Sequence, residues 1–570
     1  MEEKNIHPIV REAQEGLRQG SMSRRDFLKV ATLLGVSLGT ANLLAACAPS
    51  TPTATSAPAT SAPATSAPAT AVPATATSSA PAITRGGVLN VACRVERVSD
   101  PAQFSLVSAS HSWRQVFEYL TETDPQGITR PYLLESWKAS DDLKTWTLVV
   151  KKGIKFNNGK DFTADDVVFN LKRWLDPNTN SSMLASMNYM DANGVEKIDA
   201  YTVTLHLNNP SIFIPDHLAD YPAAIVPATF GGDITREPYG TGPFTMVEYV
   251  ATERAHMKAR TDYWRVGVDG KSLPYLGEIV MVMPGEDQAA YVAALQSGQV
   301  DTILEPSVAT WEAVKDDNRF VVVPTATSAT RVLRVRADQD PWKDNNVRLA
   351  LKYCHNREKI LQLALQGQGV VGNDSHIAPA NTEYSPLDPL PFDTAKAKEL
   401  LATAGYANGL SVDLTVASDW PESMAYAQAL KEDAAAAGLT INLVPMPASQ
   451  YWNGWTDFNM GITWWAHRTS ALIVLQKGYT ADPATGKLSD WNESHWSDPE
   501  FTQLVTEAQA TLDVTARKAI GLKLETIMKE RGSICTPFFM NVWKIYTPKV
   551  HGIVPTPNEY ALLTEAWKEA

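Results

Sequence analysis

One stretch divides this chain before any fold is considered. From Pro49 to Ala82 it is almost wholly Ala, Thr, Ser and Pro, and the unit Ala-Thr-Ser-Ala-Pro recurs from Ala54 through Pro68. Such a segment has no apolar surface to bury, so nothing offsets the entropy of ordering it. It is expected to be an extended tether over residues 47–83, and whatever folds must lie beyond it.

Ahead of the tether, Ser23-Arg24-Arg25-Asp26-Phe27-Leu28-Lys29 leads into a modestly apolar run from Val30 to Ala46. Paired arginines before such a run read as a twin-arginine export signal occupying residues 1–46, with Arg24 and Arg25 as its recognition pair. The run is broken by Gly35, Gly39 and Asn42. It is a poor spanning helix, since crossing the hydrocarbon takes roughly 20 predominantly apolar residues. It ends in Leu44-Ala45-Ala46-Cys47, which resembles the lipobox of bacterial lipoproteins. That resemblance implies that the Cys47 thiol accepts a lipid and ties the chain to a membrane.

Removing residues 1–46 leaves 44 basic and 58 acidic side chains, a net of about −14. This balance argues against nucleic acid, whose phosphates demand a basic footprint. Cys93, Cys354 and Cys535 are few and scattered, without a CxxC or Cys/His spacing that would hold a metal. They read as small buried apolar residues.

Past residue 84 the pattern alternates between strand and helix. Trp146, Leu148 and Val150 follow a period of two, Asn158-Gly159 is a hairpin-type turn, and Thr163-Ala-Asp-Asp166 is a capping pattern before Val167, Leu171 and Trp174. Val203, Leu205 and Leu207 restore the strand period. Val347 to Leu365 is expected to be one long amphipathic helix, Asp393 to cap another that stops at Gly405, and two more to follow Asp498-Pro499 and Thr515. An α/β architecture of two or three domains follows.

Several phrases together resemble the family 5 extracellular solute-binding proteins, the group of dipeptide, oligopeptide and nickel binders. They are Pro131-Tyr-Leu-Leu-Glu-Ser-Trp137, Gly153-Ile-Lys-Phe156 through Thr163-Ala-Asp-Asp-Val167, Tyr239-Gly-Thr-Gly-Pro-Phe244, Leu295-Gln-Ser-Gly-Gln-Val-Asp301, Val347-Arg-Leu-Ala-Leu-Lys352 with Asn356-Arg357, and Ala395-Lys-Ala-Lys-Glu-Leu-Leu401. The resemblance implies a bilobal periplasmic-binding-protein fold of type II with an extra third domain and a ligand cleft between two hinged lobes. Mapped here, lobe I comprises 84–120, 226–306 and 541–570, the extra domain 121–225 and lobe II 307–540. It also implies a monomer that needs no cofactor, takes a peptide-like or other small polar solute, and passes it to the permease and ATPase of an ABC importer. A sensory or chaperone-like binding protein of the same fold is the main rival, and a secreted hydrolase the lesser one.

The candidate chemistry is that of binding. Gly367-Gln-Gly369-Val-Val-Gly372 fits GxGxxG in form only, because the dinucleotide motif must follow a strand and open a helix, whereas this one ends a helix. It reads as a flexible loop. No HExxH, GxSxG or GxxxxGK[ST] is present. The informative segment is Gly461-Ile-Thr-Trp464-Trp465-Ala466-His467-Arg468. In peptide-binding relatives the resemblance implies a Trp-x-Ala-Asp phrase here, whose aspartate pairs with the peptide's α-ammonium. His467 stands in its place.

A buried ammonium needs a negative charge to offset a desolvation cost of about several kcal/mol. Neutral imidazole cannot supply it, whereas Arg468 offers paired donors suited to a carboxylate. The plainer accounts are a satisfied core histidine and a surface ion pair. Trp452, Trp455, Trp464, Trp465, Trp491 and Trp496 crowd the same stretch, and two or three are expected to line the cleft, with Trp465, Trp491 and Asn492 foremost. From the other lobe, Glu96 and Arg97 follow the strand Leu89–Cys93, and His376 lies beyond the glycine loop. These three are the remaining candidate contacts.

Overall fold

The computed structural model describes residues 82–570, apart from Gln126, Pro483, Ala484 and Asp490. Arg24, Arg25, Cys47 and nearly all of the tether therefore lie outside the described residues.

Two mixed sheets carry the fold. In the first, the neighbouring strands are Val321–Ala326, Phe538–Tyr546, Thr302–Ile303, Val88–Ala92, Glu278–Val282, Arg254–Ala259 and Phe244–Val250. Val88–Ala92 is parallel to both of its partners, and the remaining pairings are antiparallel. The second sheet runs Leu439–Met446, Leu410–Ala417, Met460–Trp465, Thr330–Val335 and Ile534–Cys535. A separate four-stranded antiparallel sheet holds Leu134–Ala139, Thr145–Val150, Thr202–His206 and Val195–Asp199.

The chain passes from the first sheet to the second through residues 327–329 and returns through 536–537. By sheet membership the passage thus falls after Ala326, whereas the sequence placed it at 306/307. Val321–Ala326 pairs along its whole length with Phe538–Tyr546. Partner choice of this kind is long-range, and nothing in a local pattern encodes it.

Local chemistry explains most elements. Thr163 and Asp166 form a reciprocal capping box on the helix Ala164–Trp174, and Val167, Leu171 and Trp174 point into the core. Asp393, Asp498 and Asp513 each accept from a first-turn N–H of the helix that follows. The expected long helix from Val347 to Leu365 is instead two, Asn345–Tyr353 and Arg357–Leu365. Asn356 breaks it by accepting from Lys359 N–H as a cap, an option that short polar side chains offer the backbone. The loop expected at the glycine motif holds the strand Gly369–Val371, paired with Phe538–Met540 of the first sheet. Cys93, Cys354 and Cys535 are buried free thiols.

The second sheet's core includes Leu333, Leu351, Ile360, Leu414, Tyr426, Leu430 and Ile462. Among the described residues, no helix is long and apolar enough to cross a membrane.

Candidate functional site

The strand Met460–Trp465 points Trp465 inward, 5% exposed, and Trp464 outward, 44% exposed. Its partner strand places Arg331 opposite Trp464, and the guanidinium lies over Trp464 and Trp420, 5.5 and 4.8 Å from the ring centroids. Arg331 also forms an ion pair with Glu422.

Beneath the strand lies a buried ion pair, Arg334 with Glu493, at 3.2 Å and fully enclosed. Burial pushes the Glu493 carboxyl up, and Arg334 pulls it back. The Trp465 indole N–H donates to Glu493 at 2.9 Å, which fixes the ring. Gly461 is required here, because a Cβ would sit 2.7 Å from the Tyr451 hydroxyl and 3.3 Å from Arg334.

Above these groups opens a cavity of about 360 Å³. Trp464, Trp465, Trp452, Trp455 and Trp491 line it, so five of the six tryptophans reach it where two or three were expected. Trp496 packs instead on Phe501, with centroids 5.3 Å apart. Trp452 and Trp491 are 40% and 41% exposed. The helix Ala471–Tyr479 adds Ile473, Val474 and Lys477, and Arg468 lies on the loop between strand and helix.

Lys477 Nζ lies 4.6 Å from the Trp491 ring centroid. Burial, then the charge of Arg468, lowers its pKa, while Asp220 opposes the shift. The charges of Lys477 and Arg468 also reach His217, and that of Arg468 reaches Tyr221, so the 217–221 segment lies in the field of these two cations.

Trp464, Trp465, Arg468 and Trp491 are therefore brought together. His467 is not directed into the cavity. Its Nδ1 meets Ser328 N–H at 3.1 Å and Ser328 Oγ at 2.8 Å, with a further side-chain hydrogen bond to Asn558. Although part of the residue remains accessible, desolvation holds the ring far below its usual value, to about 3, and the imidazole is neutral. Ser328 Oγ also accepts from Arg468 N–H at 3.1 Å, so this loop is tied to the passage at 327–329.

His376 lies behind the site, its ring 5.0 Å from Trp465 and its Nε2 2.7 Å from the Tyr479 hydroxyl. Burial lowers it to about 3. Asn492 is also buried, donating to Trp496 O at 2.8 Å. His376 was read as a contact for its place beyond the glycine loop and Asn492 for the family loop that its segment resembles, but packing turns both inward.

Glu96 and Arg97 do not line this cavity. Glu96 accepts from Ser108 Oγ at 2.9 Å and Arg94 Nε at 3.1 Å, and Arg97 is exposed. Nearby, Glu305 lies 3.4 Å from His111. Burial acts to raise Glu305, but His111, Lys544 and Arg94 prevail and leave it lowered. Lys544 is itself lowered by burial, against the pull of Glu559 and Glu305.

Lys477 was missed in the sequence. Its signal was available, because Ile473, Val474 and Lys477 share one helix face by their spacing. A lysine in a last turn is, however, ordinarily explained by the helix dipole. Among the described residues, no group of three or more His, Cys, Asp or Glu side chains could hold a metal ion.

Comparison with known proteins places this arrangement. Residues 129–472 match the family model described as bacterial extracellular solute-binding proteins, family 5 Middle. The chain is 26% identical over 492 residues to heme-binding protein A of Haemophilus influenzae, covering 80% of this chain and 87% of that one. It is 27% identical over 496 residues to di/tripeptide-binding protein 1 of Pseudomonas aeruginosa, covering 80% and 90%. The solved structure of HbpA2 from Haemophilus parasuis superposes with a TM-score of 0.74 at 22% identity, over 85% of this chain and all of that one. The fold is that of the multi-domain type II periplasmic binding proteins.

Proposed function

Because this chain belongs to the bacterial extracellular solute-binding proteins of family 5, we propose that its tryptophan-lined cavity is the seat of a captured solute. The chain is the extracytoplasmic solute-binding component of an ABC importer. Capture is without turnover, and delivery is to a permease and ATPase encoded elsewhere. The ligand is peptide-like or another small polar solute. A monomer held to a membrane by lipid on Cys47, and exported through Arg24 and Arg25, completes the reading.

The observation that carries it is the exposure of three indoles around one cavity beside two cations. A folded surface has no reason to leave Trp452, Trp464 and Trp491 more than a third exposed on one opening unless something covers them. Closure works by population shift: a solute touching both lobes only when they meet stabilises the closed state by that difference in affinity. Lobe I then spans 84–120, 226–326 and 538–570, and lobe II 330–535, with 121–225 as the extra domain.

The test is mass spectrometry of small molecules released on denaturation from the purified protein and from Trp464→Ala. A solute recovered from the first and lost from the second supports the seat. The same solute recovered equally from both removes it. Cys47→Ala moves the protein from the membrane fraction to the soluble exported fraction, and retention on the membrane would refute the anchor.

A further inference from the structure

The lining of this cavity is unusual in what it can exchange with a ligand. Among its side chains Thr463 alone carries an acceptor oxygen, and that hydroxyl is already committed, donating to Glu493 and meeting the Tyr451 hydroxyl at 2.8 Å. The Trp465 N–H is committed to Glu493 as well. What remains is indole faces, indole N–H donors and two cations. Neither Arg468 nor Lys477 has a carboxylate partner within ion-pair distance among the described residues, and Lys477 has no hydrogen-bond partner there. The one carboxylate whose field reaches Lys477, Asp220, lies outside the lining and accepts at Oδ1 from the Tyr560 hydroxyl at 3.2 Å and from Tyr221 N–H at 2.8 Å.

A ligand must match this inventory. A free α-ammonium carries three donors, and each hydroxyl of a sugar carries one. Either would lose its bonds to water and find no free side-chain acceptor in return, which is the expensive case for a buried polar group. His467 does not rescue an ammonium, because its Nδ1 faces Ser328 and the ring is neutral. The opposite chemistry fits. A flat apolar ring covers exposed indole faces by offset stacking, and an anion gives both cations the carboxylate partner they lack, Arg468 donating otherwise to His467 O at 2.9 Å. A half-buried, desolvated lysine gains most from such a partner. A volume of about 360 Å³ holds one or two fused rings with a short acidic arm.

Resting on the reading of this cavity as the solute seat, we infer that the solute class is a planar aromatic or conjugated carboxylate. Its ring is held among Trp452, Trp464 and Trp491 and its carboxylate by Lys477 and Arg468. A free amino terminus is not the recognised feature.

The experiment is calorimetric titration of the full chain with four probes: indole-3-acetate, its uncharged analogue indole-3-acetamide, cellobiose, and the unblocked dipeptide Ala-Phe. The expected result is binding of the carboxylate at least tenfold tighter than the other three, with Lys477→Gln and Arg468→Gln each weakening it at least tenfold. Trp464→Ala weakens the acid and the amide alike. These side chains are partly exposed, so matching thermal melts establish that the variants are folded. Equal affinity for acid and amide, tighter binding of the dipeptide or disaccharide, or no carboxylate binding at millimolar concentration overturns the class. If the dipeptide or disaccharide binds and Trp464→Ala weakens it, the seat stands and only the class has failed. Tight binding of any probe untouched by all three variants removes the seat itself.

Discussion

Glu96 and Glu305 follow the parallel strands Val88–Ala92 and Thr302–Ile303 of the first sheet, and Arg468 follows Met460–Trp465 of the second. In α/β sheets ligands gather at such carboxyl ends. The two ends balance charge in opposite ways. On the first, Glu96 is held by Arg94 and Ser108, Glu305 faces His111, and Lys544 lies in the field of Glu305 and Glu559. Each of these carboxylates already lies beside a basic group among the described residues. On the second, the inner layer is closed by Arg334 and Glu493, but the outer layer leaves Lys477 and Arg468 facing an open cavity. Burial alone therefore does not distinguish a structural charge from a functional one; the presence of a partner does.

The largest expected effect probes that inner layer. Arg334→Met strands Glu493 uncompensated and costs about 3–5 kcal/mol in denaturant unfolding, the usual result of removing one member of a buried pair. A loss below about 1 kcal/mol would mean that the layer is not closed as described.

Next comes the first sheet's cluster. Burial, with Glu305 beside it, raises Glu559 to about 7, against the pull of Lys544. A carboxyl raised in the fold binds its proton more tightly than in the unfolded chain. Its stabilisation is full below the unfolded value and is lost as pH rises through about 7. Glu559→Gln flattens the stability profile between about pH 4.5 and 7 and gains about 2 kcal/mol at pH 8, a figure reduced for the residue's partial exposure. An unchanged profile would place Glu559 outside the cluster.

A smaller effect concerns the outer layer. Lys477 is lowered by burial and then by Arg468, with Asp220 opposing, and an anion beside it raises it again. Binding of a carboxylate is therefore strongest below this lowered value and falls severalfold as pH rises, before the ordinary lysine range is reached. In Lys477→Gln this slope is absent from isothermal titrations; its survival would assign it elsewhere. The smallest effect is on folding itself: Trp464→Ala lowers unfolding free energy by about 1 kcal/mol, since the indole is partly exposed and loses its contact with Arg331. A large loss would make Trp464 a core residue.

Much of the frame was legible before the coordinates. The capping box at Thr163, the strand through Trp146 and the aspartate caps are local and obey local rules. The tryptophan segment and Arg468 were singled out through the family resemblance, and they line one cavity. What escaped depended on packing that a local pattern does not show. His376 and Asn492 read as contacts because the direction of a side chain is set by what packs behind it, Tyr479 and Trp496 respectively. His467 read as a ligand group because Ser328, 139 residues away, was invisible as its partner. The helix break at Asn356 is the exception, since a capping residue stood in plain view within a run that was read only for its apolar period.

The strand Phe538–Tyr546 has a consequence for the order in which the molecule is made. It lies between Val321–Ala326 and Thr302–Ile303 and also carries Gly369–Val371, yet it is translated after all of them. Until it leaves the ribosome, Val321–Ala326 has no neighbour in its sheet and the earlier strands present an unpaired edge, a known invitation to aggregation. Both passages between the sheets also remain incomplete, because the return at 536–537 immediately precedes this strand. A nascent chain thus assembles local helices early and completes both passages only once Phe538–Tyr546 has been made.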